Sequence, residues 1–319
     1  MILKPLVKSR YIFQLEALDR RVSELHPQKE RIGNKLRNEL TGFRGEQALT
    51  FPLSLLPEAD YGIIHNPRLG DSNDKFFEID VLLLAQSNIL LLESKNWYGT
   101  LLFDEDKQVI RIGDTGVEEG LPNPIPQVKL QAYRLRKWLN KHGFPQIPIL
   151  HFVVISYPTT IIKPMFPHQS IPEEVIHSNL LHQNIQRLNK QYQTSILDKG
   201  VINKLTSLIM EKHTDPEIDV LHKFHVAENE LIHGVFCPNC HAVPMVLENG
   251  NWHCGSCNHS SKDAHLSSLT DRKLLIGNSI TNREAREFLL VNSPYQMKRL
   301  LIRGQYRFTG DKNKRIYIL

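Results

Sequence analysis

Cysteine is scarce in this sequence: 319 residues contain four, all in two C-x-x-C pairs late in the chain. So few cysteines exclude a disulfide-stapled secreted scaffold, and their pairing predicts a metal site in a reducing compartment, which we expect to be the cytoplasm. No apolar run approaches the roughly 18 residues of a membrane span, so we expect no membrane partner. The first residues also lack the apolar region and cleavage site of a secretion signal.

Charge of one sign does not dominate the whole chain, whose net charge is +5, but it is unevenly distributed. Between Leu266 and Leu319, Lys and Arg number eleven and Asp and Glu number four, so this segment carries +7 and the remainder is slightly acidic. A basic C-terminal segment beside a near-neutral body predicts a polyanionic partner.

Two apolar runs joined by a short polar turn make residues 76–95 (FFEIDVLLLAQSNILLLESK) the most informative stretch of the chain. Each run has the length and the Leu, Ile and Val content of a buried strand, which predicts a β-hairpin. The hairpin also carries four charged side chains, Glu78, Asp80, Glu93 and Lys95. Its register therefore decides which of these charges meet.

A two-residue turn that pairs Ala85 with Asn88 sets the expected register. Asp80 then lies opposite Glu93, with the two Cβ atoms about 5 Å apart on one face of the sheet. Moving the turn by one residue would place Asp80 opposite Lys95 on the same face, whereas a three-residue loop would turn one strand over.

These buried charges allow two interpretations, because an unpaired buried charge costs several kcal/mol. In the first, Glu78 lies opposite Lys95 in a salt bridge at the sheet edge, and Asp80 lies at a hydrated strand end. In the second, Asp80 and Glu93 bind a divalent cation, for which carboxylate oxygens suit Mg²⁺ or Mn²⁺. Such an ion can activate water and stabilise charge on a phosphate.

Four segments in order resemble the nuclease-related domain, NERD, a member of the restriction-endonuclease-like fold with a D-(D/E)xK core. They are Gly45-Glu46, EID at 78–80, LLESKNWYG at 91–99 and NPIPQ at 123–127, and the resemblance covers roughly residues 40–160. It implies an α/β (α+β) fold, in which helices lie on the faces of a mixed sheet. It also implies metal-dependent hydrolysis of phosphodiester bonds in DNA.

The resemblance assigns catalytic roles to Asp80, Glu93 and Lys95. Asp80 and Glu93, with the Ser94 carbonyl, would hold Mg²⁺ or Mn²⁺. Lys95 would orient the attacking water or stabilise the charge of the transition state.

Glu46 and Gln127 become catalytic candidates through the resemblance alone. We expect residues 41–46 (TGFRGE) to interrupt one helix and to start the next, which runs to about Leu56. Glu46 would occupy the first turn of that helix, where a carboxylate simply complements the helix dipole. Gln127 begins another expected helix, where a glutamine is usually solvent-facing. The resemblance instead gives Glu46 a place beside the metal and lets Gln127 position the substrate or the water.

The cysteine pairs are separated by thirteen residues and offer four thiolates to one ion, the pattern of a structural Zn²⁺ site. The ligands would be Cys237, Cys240, Cys254 and Cys257. The intervening segment resembles the hairpin of a zinc ribbon, with its turn at residues 248–250. A redox dithiol and an iron–sulfur site are the alternatives.

The basic C-terminal segment predicts two helices followed by two short strands, which resembles a winged helix-turn-helix. Thr281 and Glu284 have capping-box spacing at the first helix. Nucleic-acid contacts would come from the second helix and from the loop between the strands. The candidate residues are Lys298, Arg299, Arg303, Lys312, Lys314 and Arg315. A protein-docking domain with a solvated basic loop is the alternative.

We therefore expect a helical hairpin over 1–40, a NERD domain over 41–215, a zinc ribbon over 230–265 and a winged-helix-like domain over 266–319. The expected function is a metal-dependent nuclease that acts on DNA. A non-catalytic nucleic-acid-binding protein that uses a nuclease fold as scaffold, and a protein–protein adaptor, are the alternatives. The form of the nucleic acid and any protein partners stay open.

Overall fold

The computed structural model describes residues 1–71, 75–104, 108–311 and 314–319. It divides into two compact units. The first comprises residues 1–7 and 40–215, and the second comprises residues 8–39 and 216–319. Within the described residues, no helix combines the length and the apolarity that a membrane span requires.

Two helices come early in the chain, α1 (Arg10–Arg21) and α2 (Lys29–Gln47), and the boundary between the units falls within α2. The other helices of the first unit are α3 (Thr50–Ser54), α4 (Pro124–Lys141), α5 (Leu181–Gln191) and α6 (Lys199–Lys212). Its strands are β1 (Ile2–Lys4), β2 (Gly62–His65), β3 (Arg68–Gly70), β4 (Phe76–Glu78), β5 (Val81–Leu84), β6 (Ile89–Lys95), β7 (Thr100–Phe103), β8 (Gln108–Ile112), β9 (Glu118–Pro122), β10 (Ile149–Ile155), β11 (Ile161–Pro164) and β12 (Val175–His177).

The first unit is built on a six-stranded mixed sheet in the order β1-β2-β5-β6-β10-β12. Strand β5 runs antiparallel to β2 and β6, whereas β10 runs parallel to β6 and β12. The hairpin of β5 and β6 pairs Val81 with Leu92, and the Ala85 N–H donates to the Asn88 carbonyl at 3.0 Å. The expected register is therefore confirmed.

Helices cover both faces of this sheet, which agrees with the expected α/β class. On one face α4 and α6 bury Leu139 and Leu205 together with Leu91 of β6. On the other face α3 and α5 bury Leu53 and Ile185. The strands are apolar on both sides because each side packs against helices.

Glu78 departs from the expected hairpin. It belongs to β4, which pairs with β3 and places Glu78 opposite Arg68. Pairing with β6 does not extend back to Ile79, whose N–H donates instead to the Pro67 carbonyl at 3.2 Å. The expectation that Glu78 lies opposite Lys95 was wrong. The second sheet has the order β11-β7-β8-β9, in which β7 and β8 pair in antiparallel orientation.

The helix break expected at residues 41–46 was also wrong, because α2 continues to Gln47 and a separate short helix, α3, follows. Glycine inside a helix costs about 1 kcal/mol relative to alanine. Gly45 has a packing reason to be there: an added Cβ would lie 2.8 Å from the Asn96 Cβ and 3.0 Å from the Ser156 Oγ. The absent side chain lets the end of α2 approach the ends of the central strands.

The second unit contains α1 and, further along the chain, α7 (Val220–Phe224), α8 (Ala264–Leu275), α9 (Asn282–Leu289) and α10 (Pro294–Arg303). Its strands are β13 (Val246–Glu248), β14 (Asn251–His253), β15 (Ser260–Ser261), β16 (Ser279–Thr281), β17 (Arg307–Thr309) and β18 (Ile316–Ile318). Two three-stranded antiparallel sheets result, in the orders β13-β14-β15 and β16-β18-β17.

Two short segments of the second unit have the local structure that the sequence predicts. Asn249 and Gly250 have φ of 50° and 79° between β13 and β14, as a type I′ hairpin turn requires. The Thr281 side chain accepts from the Glu284 N–H, and Glu284 accepts from the Thr281 N–H, so the capping box is confirmed. From α8 onward the order is helix, strand, helix, helix, strand, strand.

A buried ion pair joins α1 to α8. Arg21 is 0% exposed and Asp271 is 2% exposed, with Nε to Oδ2 at 2.8 Å. The guanidinium also donates to the Ile232 carbonyl and lies 4.5 Å from the centroid of the Phe288 ring. Burying both charges is tolerable because each has a hydrogen-bonded partner.

Candidate active site

The candidate site lies at one edge of the central sheet. Strands β6 and β10 are parallel and pair Lys95 with Ile155, so both carboxyl ends reach this edge. Strand β5 is antiparallel to β6, so its first residues, next to Asp80, lie at the same edge. The first turns of α4, which begins after the Asn123 N-cap, bring Gln127 to this place.

Glu93 is the most enclosed carboxylate of the site, with 2% exposure. Its Oε1 accepts from Lys95 Nζ at 2.7 Å and from Gln127 Nε2 at 2.7 Å. Its Oε2 accepts from Gln131 Nε2 at 2.9 Å. Lys95 Nζ also donates to Gln127 Oε1 at 3.2 Å. The structure therefore brings Glu93, Lys95 and Gln127 into one hydrogen-bonded group.

Gln131 is a member of this group that the sequence analysis missed. It lies four residues after Gln127 on α4, so both amides project from the same helical face and each holds one oxygen of Glu93. The spacing of four between two glutamines was the available signal. Gln131 Oε1 is buried without a hydrogen-bond partner among the residues that the structure describes.

Asp80 lies directly before β5, and its carboxylate Oδ2 accepts from the Ser94 N–H at 2.7 Å. Burial raises the pKa of Asp80 well above its usual range, and the negative charges of Glu93 and Glu46 raise it further. Like charges that crowd a partly buried carboxyl group are what a bound cation would neutralise. The first site interpretation, a Glu78–Lys95 salt bridge, was wrong because Lys95 pairs with Glu93.

Glu46 lies at the C-terminal end of α2, and it accepts from Asn66 Nδ2 at 2.9 Å. A carboxylate is not stabilised by the helix dipole at the C-terminal end, so the dipole does not explain the presence of Glu46 at this position. The negative charge of Glu46 contributes to the raised pKa of Asp80. The packing of Gly45 against Ser94 and Asn96 fixes where Glu46 emerges.

The donor set suits a hard divalent cation, since Asp80, Glu93 and the Ser94 carbonyl offer oxygen atoms only. Three acidic ligands are not gathered here. In the described parts of the chain, the four cysteines are the only group of three or more His, Cys, Asp or Glu with ligand atoms within 4.8 Å of one another. A cation at the sheet edge would therefore rely on two carboxylates, with other oxygens completing its coordination.

The four cysteines form a second, separate candidate site in the second unit. Cys237 Sγ lies 3.6 Å from Cys257 Sγ, and Cys240 Sγ lies 3.5 Å from Cys254 Sγ. A zinc ion with bonds of about 2.3 Å to four sulfur atoms places these atoms about 3.8 Å apart. The four thiols could therefore hold one metal ion, and their spacing fits a structural zinc.

The basic residues predicted to contact nucleic acid differ in their exposure and in their contacts within the protein. Lys298, Arg299 and Lys314 are exposed. Arg303 pairs with Asp263 at 3.0 Å, and the Arg315 guanidinium lies 4.3 Å from the Phe308 ring centroid. Lys312, also a candidate, lies outside the described residues.

The nuclease-related domain (NERD) family model matches residues 41–156. This segment holds Glu46, Asp80, Glu93, Lys95 and Gln127, so the resemblance inferred from the sequence is confirmed over that range. No curated protein and no solved structure gives a significant match to the chain.

Proposed function

Taking the nuclease-related domain at residues 41–156 as the premise, we propose that the protein is a metal-dependent nuclease that hydrolyses phosphodiester bonds in DNA. One observation supports this most strongly. The hairpin register brings Asp80 to the same sheet edge as Glu93 and Lys95, and Glu93 is hydrogen-bonded to both Lys95 and Gln127. Two carboxylates beside one lysine are the groups that metal-assisted phosphoryl chemistry requires.

In this proposal Asp80, Glu93 and the Ser94 carbonyl hold Mg²⁺ or Mn²⁺, which when bound supplies a Lewis acid and a water of lowered pKa. Gln127 and Gln131 fix the plane of the Glu93 carboxylate by holding its two oxygens. Glu46 adds a further carboxylate near Asp80.

Lys95 acts on the phosphate. Its ammonium has three N–H groups, of which one donates to Glu93 and one to Gln127. The third is left to orient water or to stabilise negative charge that develops on the phosphate oxygens.

The C-terminal modules serve to bind DNA. The order of elements from α8 to β18, in which α9 and α10 lie between β16 and β17 of one three-stranded antiparallel sheet, supports a winged-helix-like domain. Exposed Lys298 and Arg299 on α10, and Lys314 before β18, would contact phosphates. A structural Zn²⁺ on the four thiolates would stabilise the ribbon, and reduced thiolates fit a cytoplasmic location.

A non-catalytic nucleic-acid-binding protein is the second candidate. The observation that favours it is that both oxygens of Glu93 are already satisfied by Lys95, Gln127 and Gln131 without any cation. Such a saturated group can serve as a rigid polar core.

Cleavage assays separate the two. Purified protein is incubated with Mg²⁺ or Mn²⁺ and with plasmid, single-stranded DNA or RNA. The Lys95→Ala variant should lose cleavage while Lys141→Ala retains it, because Lys141 lies at the far end of α4, about 20 Å from Gln127 at 1.5 Å per residue. Equal cleavage by wild type and Lys95→Ala, or none by the wild type on any substrate, would reject the nuclease.

A further inference from the structure

Two exposed tyrosines lie at the sheet edge that carries the candidate site. Tyr98 follows Lys95 by three residues, and Tyr157 follows Ile155, the strand partner of Lys95, by two. Their ring centroids are 6.3 Å apart with an interplanar angle of 57°. Each is 41% exposed, so the pair forms an open aromatic surface rather than part of the core.

The backbone beneath this surface is fixed. The Trp97 carbonyl accepts from Thr160 Oγ1 at 2.5 Å, and the Gly99 carbonyl accepts from the Ile161 N–H at 3.0 Å. Gly99 has φ of +90°, and a Cβ there would lie 2.3 Å from the Ile112 carbonyl oxygen. Tyr98 is therefore presented by a backbone with little freedom, which lowers the entropic cost of using it for binding.

Tyr157 is held to the site in a comparable way. The N–H of Ser156, the residue before it, donates to the Lys95 carbonyl at 3.1 Å. One tyrosine thus follows the end of β6 and the other follows the end of β10, the two parallel strands that pair Lys95 with Ile155. A ligand that contacts both rings would therefore lie at the sheet edge where β6 ends with Lys95.

Two cationic side chains border the aromatic pair, and each pairs with a carboxylate, Arg111 with Glu119 and Lys95 with Glu93. The Arg111 guanidinium lies 4.7 Å from the Tyr98 ring centroid, and the Lys95 ammonium lies 6.0 Å from the centroid of the neighbouring Trp97 ring. Exposed aromatic rings next to cations are the combination by which proteins bind single-stranded nucleic acid, since bases stack on the rings and phosphates approach the cations.

We infer that Tyr98 and Tyr157 form a stacking platform for unpaired bases next to the phosphate that is cleaved, so that the substrate is single-stranded or splayed open at this point. This inference rests on the proposed nuclease function and adds the form of its substrate. A continuous duplex cannot use the platform, because its bases already stack on one another and expose only their edges in the grooves.

The test measures binding of the full chain to a fluorescent single-stranded oligonucleotide and to its duplex, in buffer without added Mg²⁺ or Mn²⁺ and without chelator, so that cleavage is not supported and the cysteine site keeps its metal. Tyr98→Ala and Tyr157→Ala should each weaken single-strand binding roughly 5- to 150-fold, the range for loss of one stacked base. Duplex binding should stay within about twofold. Tyr98→Phe and Tyr157→Phe should bind like wild type, since stacking needs the ring and not the hydroxyl.

Tyr133→Ala is the matched control, because Tyr133 is an exposed tyrosine of the same unit with Lys137 Nζ 5.0 Å from its ring centroid. It should leave both affinities unchanged. Photo-crosslinking of a bromodeoxyuridine single strand, mapped by mass spectrometry, provides a local readout if the C-terminal unit dominates affinity. Adducts should fall on Tyr98 or Tyr157.

Three results would overturn the platform: wild-type affinity in both alanine variants with no adducts at either tyrosine, equal losses for single strand and duplex, or losses in the phenylalanine variants as large as in the alanine variants. The nuclease proposal fails separately. A protein whose single-strand binding depends on both rings, but which never cleaves with Mn²⁺, keeps the platform and loses the catalytic assignment.

Discussion

Gly45→Ala tests the packing that presents Glu46 and Ser94 to the site. The new methyl group would lie 2.8 Å from the Asn96 Cβ, 3.0 Å from the Ser156 Oγ and 3.2 Å from the Ser94 Oγ. Carbon atoms pack at about 3.5–4.0 Å, so α2 and the end of β6 must separate by roughly 0.7 Å or more. The Asn96 Cβ follows its backbone and cannot rotate away.

Gly45→Ala has two opposing effects on the free energy of unfolding. Removing glycine from a helix interior gains roughly 0.5–1 kcal/mol, while overpacking costs about 1–3 kcal/mol. We therefore expect a net loss of stability of up to about 2.5 kcal/mol. The effect on activity should be larger, because a misplacement of about 1 Å can cost on the order of 100-fold in rate.

Gly42→Ala is the matched control on the same helix. An added Cβ at Gly42 meets nothing within 4 Å, so this variant should gain roughly 0.5–1 kcal/mol and keep full activity. Urea denaturation and kcat/KM with Mn²⁺ would measure both variants. Undiminished cleavage by Gly45→Ala, or equal effects of the two substitutions, would refute the account of how the site is presented.

Three further predictions concern charge and metal. Replacing Arg20 and Arg21 together with Met should destabilise the protein by about 3–5 kcal/mol in denaturation experiments, because it leaves the buried Asp271 carboxylate without either of its arginine partners, while adding Asp271→Leu should restore most of the loss; additive effects of the arginine and aspartate substitutions would contradict this. Since the pKa of Asp80 is raised on folding, metal-free protein should lose stability as the pH rises from about 4 through the folded pKa. Asp80→Asn should abolish that loss, and an unchanged pH profile would count against it. Chelation of metal, or Cys254→Ser, should broaden the thermal unfolding transition of the second unit or lower its midpoint temperature. An unchanged transition after complete metal removal would argue against a structural zinc.

The hairpin that carries the site was predictable because apolar runs and a two-residue turn fix a register in which each residue has one partner. The neighbouring Glu78 was not, since its strand pairs with β3 through contacts that no local pattern encodes. The glycine pair in α2 suggested a break, but packing against Asn96 outweighs the weak helix propensity of Gly45.

Residues that act through distant partners were the hardest to assign. Gln131 gains its significance only when α4 lies on β6 and reaches Glu93. Arg21 resembles any solvated residue of a mixed helix face, yet its partner Asp271 is 250 residues away. The cysteines were the opposite case, because two tight C-x-x-C turns restrict four ligand atoms to one place.

The central claim is that Asp80 and Glu93 share a divalent cation beside Lys95. Anomalous scattering from crystals grown with Mn²⁺ would locate the ion directly. We expect an anomalous peak within about 2.0–2.3 Å of one oxygen of each carboxylate, and its loss in Asp80→Asn crystals. Well-ordered Asp80 and Glu93 side chains without a peak between them, in crystals of protein that cleaves DNA with Mn²⁺, would contradict the claim.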